Sequence, residues 1–151
     1  MSTANNLYDR DFYAWAMRNA ELIRQGRFAE VDLNNVAEEL ESMGRSERHQ
    51  LENRLAVLLA HLLKWRFQPE RLQRHGKSWR ATIKEQRLRV KKRLAASPSL
   101  RHGIEDSFAE AYRYAVLRVV KETPLEEAAL PAQCPFTLEQ TLDENFWPEQ
   151  T

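Results

Sequence analysis

The sequence is short of several things. A single cysteine, Cys134, stands among 151 residues, so no internal disulfide framework exists and a reducing compartment suits the chain. Four glycines and six prolines are few for an all-β or collagen-like chain. No apolar run approaches the ~20 residues that cross a bilayer; the longest, Leu55 to Leu63, is interrupted by His61. The polar opening, Met1 to Asn6, lacks the basic-then-apolar pattern of a signal peptide. These absences lead us to expect a soluble cytoplasmic protein with no membrane partner. Net charge is also nearly absent: 23 basic side chains face 22 acidic ones, a formal +1, with an isoelectric point near 7.9. Nucleic-acid modules are more often basic overall, with values above about 9.

What is present is ordinary for a globule: 42% apolar and 30% charged residues. A chain of ~150 residues buries enough surface to fold without metal or disulfide. The expectation is one domain over residues 1–151, with its core at about 8–148.

Periodicity is helical nearly throughout. Phe12, Trp15, Ala16, Leu22 and Ile23 recur at three- and four-residue steps, with Asn19 the one polar member of the stripe. Asp9 or Asp11 suits the N-cap of this helix and Gly26 its end. A second helix is expected after Asp32, with Leu33, Val36, Leu40 and Met43 inward and Gly44 as its stop. A third, capped by Ser46 and running from about 46 to 67, carries Leu51, Leu55, Leu58 and Leu62 on one face. Ala56, Val57, Ala60 and Leu63 fill most of its other directions. A helix apolar all round belongs at the centre of a bundle. After a loop from Gln68 to Lys77, Ser78 suits the cap of a fourth helix with Trp79, Ile83, Val90 and Leu94 inward. A fifth is expected from Pro98 to Glu122. Pro124, Pro131, Pro135 and Pro148 punctuate the remainder, where Thr137 and Gln140 have capping-box spacing. Phe136, Leu138, Leu142, Phe146 and Trp147 are too apolar for a free tail. The reading is all-α: about five main helices around a central one, with a packed arm of short helices over 124–151.

The near-zero net charge conceals strong unevenness. Residues 71–93 hold ten basic groups and one acidic group, a net of +9, whereas residues 1–53 carry −4 and residues 94–151 carry −6. Lys77, Arg80, Lys84, Arg87 and Lys91 fall within about 80° on a helical wheel. One reading is internal compensation, with the acidic second and fifth helices pairing across grooves; surface pairs are worth ~0–1 kcal/mol each. The other is an anion-binding face for nucleic-acid phosphates. The modest isoelectric point and the lack of helix-turn-helix, zinc-finger or aromatic RNA-binding signatures favour compensation.

Chemistry-bearing candidates are sparse. His61 is the histidine in the most apolar setting, and Glu38, Glu39 or Glu41 of the preceding helix could reach its edge, giving a buried Glu–His pair for proton transfer. A satisfied packing network explains the same residues. No Glu-x-x-His, His-x-x-x-His or Cys-x-x-Cys spacing occurs, so no metal or other cofactor is expected. Cys134 has no histidine nearby in sequence, and there is no glycine-rich phosphate loop or Gly-x-Ser-x-Gly turn.

Several blocks together carry a resemblance. Tyr8-Asp9-x-Asp11-Phe12-Tyr13-Ala14-Trp15 is followed by Gly26-Arg27-Phe28 and by Asp32-Leu33-Asn34-Asn35-Val36-Ala37-Glu38-Glu39-Leu40-Glu41-Ser42-Met43-Gly44. Later come His61-Leu62-Leu63-Lys64-Trp65, Ser78-Trp79-Arg80, Cys134-Pro135-Phe136-Thr137 and Phe146-Trp147-Pro148. The chain resembles the bacterial domain-of-unknown-function family number twenty-nine, and the resemblance implies a small helical bacterial protein without an assigned activity. Convergence of the polar blocks would gather Glu38, Glu39, Glu41, His61, Lys64, Arg80, Glu85 and Arg87 into one constellation. The leading functional expectation is a non-catalytic module that assembles with itself or another protein. A polyanion or nucleic-acid binder using helix 77–93 is the alternative. An enzyme using Glu38, Glu39 and His61 between the second and third helices is the third.

Overall fold

The computed structural model describes residues 3–150. It is all-α, with six α-helices and no strand among the described residues: α1 (Thr3–Arg10), α2 (Phe12–Arg24), α3 (Leu33–Phe67), α4 (Leu72–Ala96), α5 (Ile104–Glu122) and α6 (Leu138–Leu142), joined by short 3₁₀ turns. These residues fall into two compact units, one up to Glu47 and one from Arg48 onward.

In the first unit Asp11 separates α1 from α2 and caps the latter, accepting from the Ala14 amide at 3.0 Å. Gly26 follows α2 with φ +72, a left-handed conformation that glycine adopts without a Cβ penalty. Trp15 is buried, and its indole N–H donates to the Asp32 carboxylate at 2.9 Å. Asn19, the polar interruption of the apolar stripe, is buried as a connector. It donates to the Trp15 carbonyl at 2.9 Å and accepts from the Asp32 amide at 2.8 Å. Much of the expected apolar stripe is not covered: Phe12, Ile23, Leu33, Leu40 and Met43 are all exposed.

The expected second and third helices are one. Helix α3 runs 35 residues without a break at Gly44 or Ser46. A glycine inside a helix costs only about 1 kcal/mol relative to alanine, and no proline interrupts the stretch. Arg45 bridges back to Glu38 at 3.0 Å and to Glu41 at 3.7 Å, supporting the turn that contains Gly44.

In the second unit the C-terminal half of α3 is the apolar centre. Leu51, Leu55, Leu58, Leu59, Leu62 and Leu63 are fully buried, packed among Ile83, Val90 and Leu94 of α4 and Phe108, Ala111, Ala115 and Val119 of α5. Helix α4 begins at Leu72, so most of the expected Gln68–Lys77 loop is helical. The Pro98 segment is a separate 3₁₀ turn, after which Gly103, at φ +73, precedes α5. Thr137 and Gln140 form the expected capping box at α6. The Pro-punctuated arm lies on this core through Leu130, Phe136, Leu142, Phe146 and Trp147.

Candidate functional site

Part of the basic stripe of α4 meets the C-terminal arm, through Arg80, Arg87 and Lys91. Arg87 is 1% exposed. Its Nε donates to the Thr141 carbonyl and its Nη2 to the Phe146 carbonyl, both at 2.8 Å, with a longer 3.5 Å contact from Nη2 to the Gln140 carbonyl. Thr141 lies in the last turn of α6, where carbonyls run out of intrahelical partners and the helix dipole favours a cation. The guanidinium satisfies that carbonyl and the Phe146 carbonyl beyond the helix from one side chain. Burial lowers the Arg87 pKa, and the nearby Asp143 and Glu144 oppose that shift. One turn further along α4, Lys91 reaches Glu144 at 3.6 Å.

The three remaining members of the stripe differ. The Arg80 guanidinium lies over the Trp147 ring at 4.6 Å and over Trp65 at 5.2 Å, and the two indoles are 4.7 Å apart. Arg87 also approaches Trp147, at 5.4 Å. Lys77, Arg80 and Lys84 are all exposed. Among the described residues no carboxylate pairs with Lys77, Arg80 or Lys84. Trp65, Leu72, Gly76, Lys77 and Arg80 line a cleft of about 480 Å³.

On the other side of Trp79, Lys64 is buried and donates to the Glu122 carboxylate of α5, which also accepts from Arg118 at 3.2 Å. The Lys64 ammonium is 6.0 Å from the Trp79 ring centre. Burial works against the Glu122 carboxylate, but the Lys64 hydrogen bond and the charges of Lys64 and Arg118 outweigh it, and the pKa falls. His61 donates from Nδ1 to the Val57 carbonyl at 2.8 Å. Burial is the main cause of its lowered pKa; Lys64 and Arg118 lower it further, while the Val57 bond and Glu122 oppose.

The expected constellation divides accordingly. Arg80 and Arg87 meet at Trp147, with Trp65 beside it, whereas Lys64 lies against Trp79. Glu85 pairs with Arg89 at 2.9 Å on the exposed side of α4. Glu38 and Glu41 pair with Arg45, and Glu39 accepts from the Tyr8 hydroxyl, a hydrogen bond that chiefly pushes Tyr8 up to about 12. Glu38, Glu39 and His61 stand on the single helix α3 rather than on two helices, and His61 bonds the Val57 carbonyl of that helix. Compensation by α5 is likewise corrected: Glu122 serves Lys64 and Arg118, and Glu110 serves Arg113.

The family model described as "Domain of unknown function DUF29" matches residues 7–147. The chain belongs to the DUF29 family. Neither the curated proteins nor the solved structures gave a match. The matched span of this DUF29 domain includes every residue of the Arg80–Arg87–Trp147 cluster and of the Lys64–Glu122 pair. Sequence reasoning missed Glu122, Thr141 and Trp147 as partners; the only signal was the excess of large apolar groups in the arm. Among the described residues no group of His, Cys, Asp and Glu is arranged to hold a metal ion, and no helix is long and apolar enough to cross a membrane. Cys134 is a free thiol, and burial pushes its pKa up to about 11, so it stays protonated and weakly nucleophilic at neutral pH.

Proposed function

We propose that this DUF29 chain is a non-catalytic interaction module of the bacterial cytoplasm that assembles with a second copy of itself through the first unit. The observation that carries the reading is the distribution of uncovered apolar groups. Of the eleven large apolar side chains exposed among the described residues, eight lie between Phe12 and Met43. Exposed apolar residues scattered singly need no explanation, but a concentrated set marks an association surface.

Helix α3 supplies the seam. Leu33, Val36, Leu40 and Met43 have the alternating three- and four-residue spacing of a coiled-coil edge, and Leu33, Leu40 and Met43 are 64%, 62% and 64% exposed. The flanking charge changes sign along the helix, from Glu38, Glu39 and Glu41 to Arg45. Arg45 pairs with Glu38 and Glu41 of its own helix and so neutralises the edge of the seam, and the same patch on both chains makes a closed two-fold contact. Gly44 fits this arrangement. A Cβ added there meets nothing within 4 Å, so the fold of one chain does not require a glycine, whereas close approach of a second helix does. Nucleic-acid binding is the weaker reading, since Arg87 and Lys91 of the stripe are engaged by the arm.

The test is the solution mass across a hundredfold concentration range by sedimentation or light scattering. The wild-type chain is expected to move from monomer to dimer, and a Leu40→Glu/Met43→Glu double variant to remain monomeric with unchanged helicity. A wild-type chain that is monomeric throughout overturns the proposal, as does a double variant that dimerises equally well.

A further inference from the structure

We infer that the cleft beside Arg80 is a binding site for an organic phosphomonoester, a dianionic headgroup on a compact planar or apolar body. The inference rests on the second unit alone and is independent of self-assembly. Its first support is an ordered cation without a counter-charge. Arg80 is stacked against two indoles, 4.6 Å from the Trp147 ring and 5.2 Å from the Trp65 ring. Arg80 is solvent-exposed, so the N–H groups of its guanidinium that do not meet the rings remain open to an anion. No acceptor among the described residues takes them. The arginines around it are otherwise occupied: Arg87 by three carbonyls and Arg89 by Glu85. A guanidinium held against two rings has fewer conformations open to it than a free one, which lowers the cost of ordering it on an oxyanion.

The second support is the composition of the cleft. Lys77 precedes Arg80 by three residues and faces the same space of about 480 Å³, which lies within the range of small-molecule sites. Two cations one helical turn apart match a phosphomonoester, which carries about −1.5 to −2 at neutral pH, better than a singly charged carboxylate. Trp65 and Leu72 supply the apolar wall for the organic part. A long nucleic-acid strand is a poorer match, because beyond Lys84 the stripe reaches Arg87, which is held by the arm, and Lys91, which pairs with Glu144.

The experiment is titration of the full chain with adenosine 5′-monophosphate at low ionic strength, read by tryptophan fluorescence and calorimetry. Adenosine, inorganic phosphate and a 15-residue oligothymidylate serve as comparisons. The expected result is saturable 1:1 binding of the monophosphate, weaker binding of phosphate alone, weaker still of adenosine, and loss of affinity with added salt. Arg80→Gln is expected to reduce affinity at least tenfold and Lys77→Gln several-fold, while Arg89→Gln leaves it unchanged. Lys77 is exposed, so its variant tests the site even if Arg80→Gln disturbs the arm. Absence of binding at millimolar ligand overturns the inference. So does equal binding by the Arg80 and Lys77 variants, or affinity for the oligonucleotide that exceeds the monophosphate and grows with strand length.

Discussion

Replacing Arg87 by methionine isolates what the buried guanidinium does. The aliphatic stem is kept, so packing against the arm changes little. What is lost is the pair of 2.8 Å hydrogen bonds to the Thr141 and Phe146 carbonyls. Bonds involving a charged group are worth about 1.5–3 kcal/mol each, a gross loss of roughly 3–6 kcal/mol. Against this, the variant no longer buries a cation whose Nη1 has no partner, and a stranded buried donor costs about 1–3 kcal/mol. The net destabilisation is about 2–3 kcal/mol, or roughly a 30- to 160-fold rise in the opening of whatever Arg87 holds closed. The geometry says that this is the arm. Native-state hydrogen exchange resolves it through the amides of Thr141 and Phe146, which bond to the Thr137 and Asp143 carbonyls. Their exchange accelerates by that factor, while the amides of Leu55 to Leu63 in the core of α3 keep their protection. Arg87→Lys retains the charge but not the fork and recovers only a minor part. Unchanged exchange in the arm refutes the argument, and so does an equal acceleration in α3.

Two further outcomes follow from the Lys64 environment. Glu122→Gln leaves Lys64 buried without its counter-charge, a change that costs about 3–5 kcal/mol for a fully buried pair; Glu122 is 40% exposed, so solvent screening reduces the figure to about 1–2 kcal/mol, visible as a lower urea midpoint. The pH dependence has a definite sign. His61 has a lowered pKa in the fold, so the unfolded chain binds a proton near 6.5 before the folded one does, and the His61 contribution is present above that value and declines as the pH falls toward the folded value. Glu122 is also lowered and extends the loss below the usual carboxylate range. His61→Leu therefore flattens the change in urea midpoint between pH 7.5 and 5.5, and an unaltered slope refutes the assignment.

The parts of the fold legible in the sequence are those written in local chemistry. Leu51, Leu55, Leu58 and Leu62 repeat at the helical period and are fully buried; Thr137 and Gln140 sit at capping-box spacing and form the box. Gly44 misled because its cost in a helix, about 1 kcal/mol, is small enough for the Arg45 pairs and the surrounding helix formers to absorb. Leu33, Leu40 and Met43 follow the same period as the core leucines, yet periodicity states only that a face is apolar and says nothing of what covers it. The Lys64–Glu122 contact joins residues 58 apart on different helices, and no spacing rule reaches that far. Arg87 was harder still. Its partners are backbone carbonyls, which every residue has, so the sequence around Thr141 and Phe146 contains no mark of the contact.

The basic helix then has a reason for its excess charge that a sum over residues conceals. A stripe built for compensation alone would meet acidic side chains along its length, but among the described residues Lys91 meets one, Arg87 meets carbonyls, and Lys77, Arg80 and Lys84 pair with none. The stripe therefore divides into a latch near the α6 terminus and a cationic end near Trp65. Trp147 belongs to both, lying against Arg80 on one side of the division and Arg87 on the other. Undocking the arm would withdraw the indole from Arg80 and leave that guanidinium with Trp65 alone, free to explore other rotamers. An anion that selects the ordered form of Arg80 must also favour the docked arm, because linkage works equally in both directions. The latch residue and the binding residue are thus coupled through one tryptophan, and a change at Arg87 weakens the cleft at Arg80 without touching it.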